Sequence, residues 1–465
     1  MNSSEKKLGL LDATLLVAGS MIGSGIFIVS SIMLQDIGSP AWMLVLWIIT
    51  GLITIMAALS YGELAGMMPN AGGQYVYIQR AFGRLPSFLY GWTVFTVIQT
   101  GVIAAVAVAF AKYSAVFFPG LSTEFFHVGG LTISYAQILA IGSVILLTFS
   151  NSRGLQNGKI IQFIFTSAKL FALFALIVLG IYFGMKTNVF SMNMQDAWAT
   201  FKTTSNDAGL QSTTPIFGWA LVGAMGATII NSLFSADAWN NVTFIAGEIR
   251  DPKKNIPRSL FLGTLIVTII YVLANIAYLM LLPNQEIMQA SSNRVGAAAA
   301  QVIFGDTGAL FMAALIMVST FGCNNGLILA GSRLYHAMAK DALFFKEAGN
   351  LNKQGIPSTS LWIQCAWASV LCLSGKYEDL LTYSTFASLL FYVITIIGIF
   401  RLRKIEPNTE RPYKAFGYPF VPAFYIAITS FICIVLIIHS PINTLIGLFI
   451  VSLGIPIYYL TKIKQ

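Results

Sequence analysis

The chain is 465 residues long, 56% hydrophobic and only 10% charged, with a mean hydropathy of +0.76. A soluble domain carries about 25% charged residues, so this composition excludes an ordinary soluble enzyme, a disordered chain and a disulfide-rich secreted scaffold. The net charge of +9 lies between apolar runs rather than in one basic patch, which argues against a nucleic-acid partner and makes the charge a topological signal.

A helix needs about 20 apolar residues to cross the hydrocarbon core of a bilayer. Twelve such segments are predicted, at 10–33, 41–67, 86–117, 132–150, 157–184, 216–247, 258–282, 307–337, 358–374, 379–402, 419–438 and 441–461. Backbone groups in lipid must pair internally, so these are helices, and the ~10-residue alternation of a β-barrel is not seen. Glu5-Lys6-Lys7 leads straight into the first segment, so no cleavable signal peptide is expected. Residues 71–84 read as an amphipathic interfacial turn or helix, 186–215 as a polar outer loop capping one face, and 406–422 as a charged, Pro-rich cytoplasmic loop. With the N-terminus in the cytoplasm, 21 of the 27 Lys and Arg lie on the cytoplasmic side and five outside, with Lys169 inside the fifth segment. Both termini are then cytoplasmic and the expected location is the plasma (cytoplasmic) membrane. The chain divides into 1–185, the loop 186–215, 216–405, and 406–465.

The first segment contains Gly19-Ser20-Met21-Ile22-Gly23-Ser24-Gly25-Ile26-Phe27. Each Gly weakens a helix by ~1 kcal/mol relative to Ala, and lets backbone approach a ligand; a small-residue packing face is the alternative, since Gly19, Gly23 and Phe27 share one side. The sixth segment contains Ser232-Leu233-Phe234-Ser235-Ala236-Asp237-Ala238-Trp239. An Asp at mid-membrane costs ~2.5–3.5 kcal/mol; it marks either a polar cavity or a structural helix end. These two interruptions open two five-segment halves, the pattern of an inverted-repeat transporter. Freed N–H groups suit a carboxylate and freed C=O groups an ammonium, so the pair suits a zwitterion.

Several blocks resemble the amino acid–polyamine–organocation (APC) transporter superfamily, and within it the L-type amino-acid transporter-like branch. They are Gly19–Phe27; Tyr61-Gly62-Glu63-Leu64 with Pro69, Gly72, Gly73, Tyr75 and Tyr77; Phe234–Trp239 with Glu248, Asp251, Pro252, Lys254, Asn255, Ile256 and Pro257; Phe321–Gly326 with Ser332-Arg333-Leu334; and Arg411-Pro412-Tyr413-Lys414. The resemblance implies an all-α membrane protein of twelve transmembrane helices, with a leucine-transporter-like five-plus-five inverted repeat, two added helices, and helices 1 and 6 unwound mid-membrane. It implies a substrate site between helices 1, 3, 6, 8 and 10. There the amides of Ser24, Gly25 and Ile26 take the substrate carboxylate. The carbonyls near Met21 and Ile22, with those of Phe234, Ser235 and Asp237, take the ammonium. Phe234 is the expected gate, Val97 and Ile98 are wall residues, and Asn324 and Asn325 face either the site or a neighbouring helix. Lys169 matches a lysine that stands beside the unwound part of helix 1 and replaces sodium; snorkelling to an interface is its alternative.

The implied function is sodium-independent secondary transport, by exchange or linked to protons, of small neutral L-amino acids such as alanine, serine and threonine. The chain departs from the L-type pattern at Ala236, where a Tyr is usual, and at Asp237, where a Gly is usual. Asp237 could offset Lys169, bind a substrate ammonium, favour a cationic side chain or carry a proton; a cationic amino-acid or polyamine carrier is therefore the alternative. Glu63, Glu248, Arg333 and Arg153 read as interface charges or as parts of an inner gate. Cys323, Cys365, Cys372 and Cys433 lie in apolar stretches and His127, His336 and His439 are far apart, so no metal or cofactor is expected. Segment 118–131 holds no Cys, so no disulfide-linked ancillary subunit is expected. No nucleophile–base pair suggests an enzyme, and no signalling domain suggests a sensor.

Overall fold

A computed structural model describes residues 8–70, 72–128, 131–205, 211–374 and 377–463. Among them, span 1 is split into Leu10–Met21 and Val29–Ile37, and span 6 into Gly218–Ser235 and the short Asn241–Phe244. Span 2 is Pro40–Met67 and span 3 Arg84–Ser114. Spans 4 and 5 are Tyr135–Ser152 and Leu155–Gly184; spans 7 and 8 are Pro252–Leu281 and Asp306–Lys340. Spans 9 to 12 are Ser358–Ser374, Tyr377–Ile405, Phe420–His439 and Pro441–Ile463. Among the described residues nine helices are individually long and apolar enough to cross a membrane, and the split span 1 and spans 9 and 12 complete the twelve. Large apolar side chains such as Phe171, Phe420 and Ile442 are more than 70% exposed; lipid rather than water is the solvent that accepts such a surface.

Span 2 packs on span 7, span 3 on span 8, and span 4 on span 9. Span 1 meets span 7 as span 6 meets span 2; span 5 meets span 8 as span 10 meets span 3; span 1 meets span 5 as span 6 meets span 10. These pairings exchange with one another when spans 1–5 are swapped for spans 6–10. An odd number of crossings in each half makes the second half inverted relative to the first, so this is the packing of an inverted repeat.

The ends carry structure that a search for long apolar runs does not find. Antiparallel hairpins form from Glu124–Val128 with Leu131–Ser134, and from Phe201–Ser205 with Gln211–Pro215. A helix, Val295–Phe304, precedes span 8. The loop after span 5 does cap its neighbours: Ser39 at the start of span 2 and Ala41 meet Ala197 O, and Asn193 donates to Leu279 O and Leu282 O at the end of span 7. Gly38 ends span 1 at φ +67°, where a Cβ would lie 2.6 Å from the Phe201 ring, so a side chain is excluded twice over. At the opposite end the amphipathic segment is the helix Gln74–Phe82. Its Arg80 makes a bidentate pair with Glu406, at 3.0 and 2.6 Å, and those hydrogen bonds hold the Glu406 carboxyl below its usual range.

Candidate functional site

The first half of span 1 stops at Met21, and Ile22 turns to extended backbone (φ −77°, ψ 93°). Its last carbonyls have no intrahelical partner, and side chains from three other spans meet them. Lys169 of span 5, 1% exposed, donates to Gly19 O at 2.5 Å and Ile22 O at 2.6 Å. Cys323 of span 8 donates to Ser20 O at 3.1 Å. Ser319 of the same span reaches Ile22 O at 3.2 Å and Gly23 O at 3.4 Å. The Tyr271 hydroxyl of span 7 lies 3.1 Å from Met21 O and 2.9 Å from Ser235 O, so one proton is shared between the two broken spans. Past the gap, Gly25–Phe27 form a 3-10 turn leading into the second half, and the amides at such a helical start point outward without partners in their own turn.

Span 6 breaks differently. Ala236 N–H donates back to Ser232 and Leu233 carbonyls and Asp237 N–H to Phe234 O, so this helix closes mostly with its own backbone, Tyr271 on Ser235 O aside, and Ala238 then takes φ +64°. The two breaks touch: a Cβ on Gly25 would lie 2.1 Å from Ser235 Oγ and 2.7 Å from its Cβ. Only a glycine allows that approach.

Asp237 accepts a hydrogen bond from Tyr392 of span 10 at 2.5 Å. It forms no ion pair with Lys169, whose partners are main-chain carbonyls. The two charged side chains are thus held by different spans around different breaks. Asp237, Asn240, Gln74, Gln99, Ser388, Tyr392, Ile98 and Leu327 surround a small cavity between spans 3, 6, 8 and 10. Ile98 lines that cavity; Val97, 8% exposed, is not among the residues lining it. Phe234 is buried, in one apolar cluster with Val102, Cys323 and Leu327. Ser24, Ile26 and Ala236 are buried at the breaks, at 1%, 0% and 4% exposure. Asn325 accepts from Asn151 at 2.9 Å and donates to Gln162 at 3.3 Å, which ties span 8 to spans 4 and 5. Asn324 bonds Ile103 O of span 3.

A cavity of about 470 Å³ opens at the hairpin end, between Ile28, Ile32, Lys112, Tyr113, Asn293 and Arg294. The other end is closed. Leu8 pairs with Ile249 through Leu8 N–H to Glu248 O and Arg250 N–H to Leu8 O, and Arg333 of span 8 meets Glu248 at 2.7 Å. Glu63 instead accepts from Arg403, Arg411 and the Ala415 amide, a fixed strap from span 2 to span 10 and the following loop. Arg153 lies over the Phe149 ring at 4.2 Å.

Residues 8–459 match the family model described as Amino acid permease. The chain belongs to the amino acid permease family of the APC superfamily. Relatives of this permease include the large neutral amino acids transporter small subunit 2 of Mus musculus, 31% identical over 98% of this chain and 81% of the relative. The b(0,+)-type amino acid transporter 1 of Mus musculus is 29% identical over 94% of this chain and 84% of its own length. The Asc-type amino acid transporter 1 of Rattus norvegicus is 29% identical over 98% and 81%. The permease is an amino-acid transporter of the L-type branch, spanning the membrane many times; its family transports rather than catalyses. Sequence reading missed Tyr271, Ser319, Ser388 and Tyr392; a Tyr in the middle of spans 7 and 10 was the available signal, since a mid-membrane hydroxyl requires a partner.

Proposed function

We propose that the permease carries small neutral L-amino acids such as alanine, serine and threonine by alternating access without sodium, as an exchanger or in a proton-linked cycle. The observation that carries this is the Lys169 ammonium at Gly19 O and Ile22 O. A fixed cation at the negative end of a half-helix takes the electrostatic place of a bound metal cation. The substrate carboxylate goes to the amides of Ser24, Gly25 and Ile26. Its ammonium goes to the carbonyls of Met21, Phe234, Ser235 and Asp237; Ile22 O already has two donors, Lys169 and Ser319. Phe234 gates the site, with Val97 and Ile98 beside it. Units 1–185 and 216–405 move against each other, with 186–215 and 406–465 as loop and added helices. The large cavity at the hairpin end supports a state open to the outside. The Lys- and Arg-rich closed end supports a plasma-membrane orientation with both termini cytoplasmic.

The name of the first relative makes it one subunit of a larger assembly. For this chain we propose no disulfide-linked subunit, because all four cysteines are buried within spans. The test of the main reading is uptake of labelled alanine, serine and threonine into proteoliposomes with sodium replaced by potassium. Equal initial rates are expected; uptake that requires sodium overturns it. A second reading, a carrier of cationic amino acids or polyamines, draws on the Asp237 carboxylate, which faces a phenol rather than a cation. Competition of alanine uptake by arginine, lysine or putrescine separates the two.

A further inference from the structure

We propose that Asp237 is a proton-binding site that makes amino-acid uptake proton-linked; this rests on the transport reading above and chooses between its two coupling modes. Asp237 lies between two cavities, each of about 20 Å³, and with Ser388 and Tyr392 it lines both. One extends toward Ile98 and Leu327, the other toward Thr54 and Tyr425. Each has room for roughly one water molecule. The carboxylate accepts from the Tyr392 hydroxyl at 2.5 Å. The Ser388 hydroxyl faces it, and Ser388 Oγ, in a side chain 2% exposed, has no hydrogen-bond partner among the described residues. Asn241 Nδ2, in the first cavity, is also unpartnered.

The titratable groups around Asp237 are all phenols. Span 10 supplies Tyr392, which packs edge-on against Tyr61 of span 2 at 5.9 Å; span 3 supplies Tyr90 and span 11 Tyr425. Tyr77, from the helix Gln74–Phe82, reaches Tyr61, and span 8 presents Leu327. No Lys, Arg, His or second carboxylate lines either cavity among the described residues. Phenols remain neutral near pH 7, so nothing built into the site balances an ionised Asp237 at this depth. A proton or a cationic substrate group must do so. Cavities the size of one water admit a proton delivered through water and exclude an ammonium with its alkyl chain or a guanidinium.

The step is a proton transfer. On the outer side water delivers a proton, an O–H bond forms on a carboxyl oxygen of Asp237, and the carboxylate becomes neutral. The zwitterion and the proton cross together, so one positive charge moves per substrate. On the inner side the O–H bond breaks, the proton returns to water, and no group is oxidised or reduced.

The experiment uses the full-length protein in proteoliposomes loaded with a fluorescent pH dye and given labelled alanine, serine or threonine. Uptake should acidify the lumen and should rise as external pH falls. Asp237→Asn should abolish substrate-driven acidification and leave only residual, pH-independent counterflow. Tyr392→Phe removes a hydrogen bond to the charged form, so the pH midpoint of uptake should move up by about one unit; this variant also serves if Asp237→Asn does not fold, and an unmoved midpoint counts against the proposal. Amino-acid uptake with no acidification in the unmodified protein overturns proton coupling, and acidification that survives in Asp237→Asn overturns Asp237 as its site; the transport reading stands in both cases. A preference for arginine, lysine or putrescine that Asp237→Asn removes, with no proton movement, overturns it in favour of a substrate counter-ion. Absence of any amino-acid flux ends the transport reading itself.

Discussion

Single side chains satisfy the backbone groups that the two breaks leave open. Lys169 holds two carbonyls of span 1 with charge-assisted hydrogen bonds, each worth ~1.5–3 kcal/mol. Lys169→Ala should lower the specificity constant for uptake by about 10–100-fold, while detergent-solubilised protein stays monodisperse; unchanged kinetics would remove Lys169 from the mechanism. Tyr271 joins the two breaks at Met21 O and Ser235 O. Tyr271→Phe keeps the ring packed edge-on against Trp47, 5.3 Å away, and removes only the hydroxyl. It should therefore raise KM and lower kcat with a melting temperature close to that of the parent, and a variant with parental kinetics would contradict this role. Lys169 was visible in the sequence as a mid-span charge. Its carbonyl partners were not, because they depend on how span 5 is rotated against span 1.

At the scale of elements, the positions of the breaks were legible and their mechanisms were not. Glycine spacing located the gap in span 1, and an isolated Asp located the gap in span 6. That side chains from three other spans meet the end of one half-helix, while the other closes mostly on its own turn, depends on neighbours that no local pattern encodes. The hairpins and the helix Val295–Phe304 escaped notice because segments this short carry no 20-residue apolar signature. Contact between the breaks is testable at Gly25. A methyl group there collides with the Ser235 side chain at 2.1 and 2.7 Å, so Gly25→Ala should abolish the rise in melting temperature that alanine, serine or threonine gives the parent protein. A preserved rise would mean that the two breaks do not form one site.

For the whole molecule, the swapped pairings of spans 1–5 with spans 6–10 set what moves and what is fixed. Two acidic residues that looked alike in sequence have different neighbours. Glu248 meets Arg333 through a single 2.7 Å contact between the turn after span 6 and span 8, and Glu248 Oε2 and Arg333 Nη2 have no hydrogen-bond partner among the described residues. Glu63, 1% exposed, is held by two arginines and a main-chain amide. Removing one member of such a buried network leaves uncompensated charge and costs about 3–5 kcal/mol. Glu63→Gln should thus lower the melting temperature markedly, whereas Glu248→Gln should change stability little and speed inward opening, seen as faster labelling of cysteines introduced at the closed end. Equal loss of stability in both variants would contradict the division into strap and latch.

The central claim is that main-chain amides and carbonyls at the two breaks grip both charged groups of one amino acid. Its most direct measurement is competition of labelled L-alanine uptake by N-acetyl-L-alanine, which lacks the ammonium, and by L-alaninamide, which lacks the carboxylate. The account predicts that each analogue competes at least ~100-fold less well than L-alanine, since each forfeits charge-assisted hydrogen bonds at one break. An analogue that competes as well as L-alanine contradicts it.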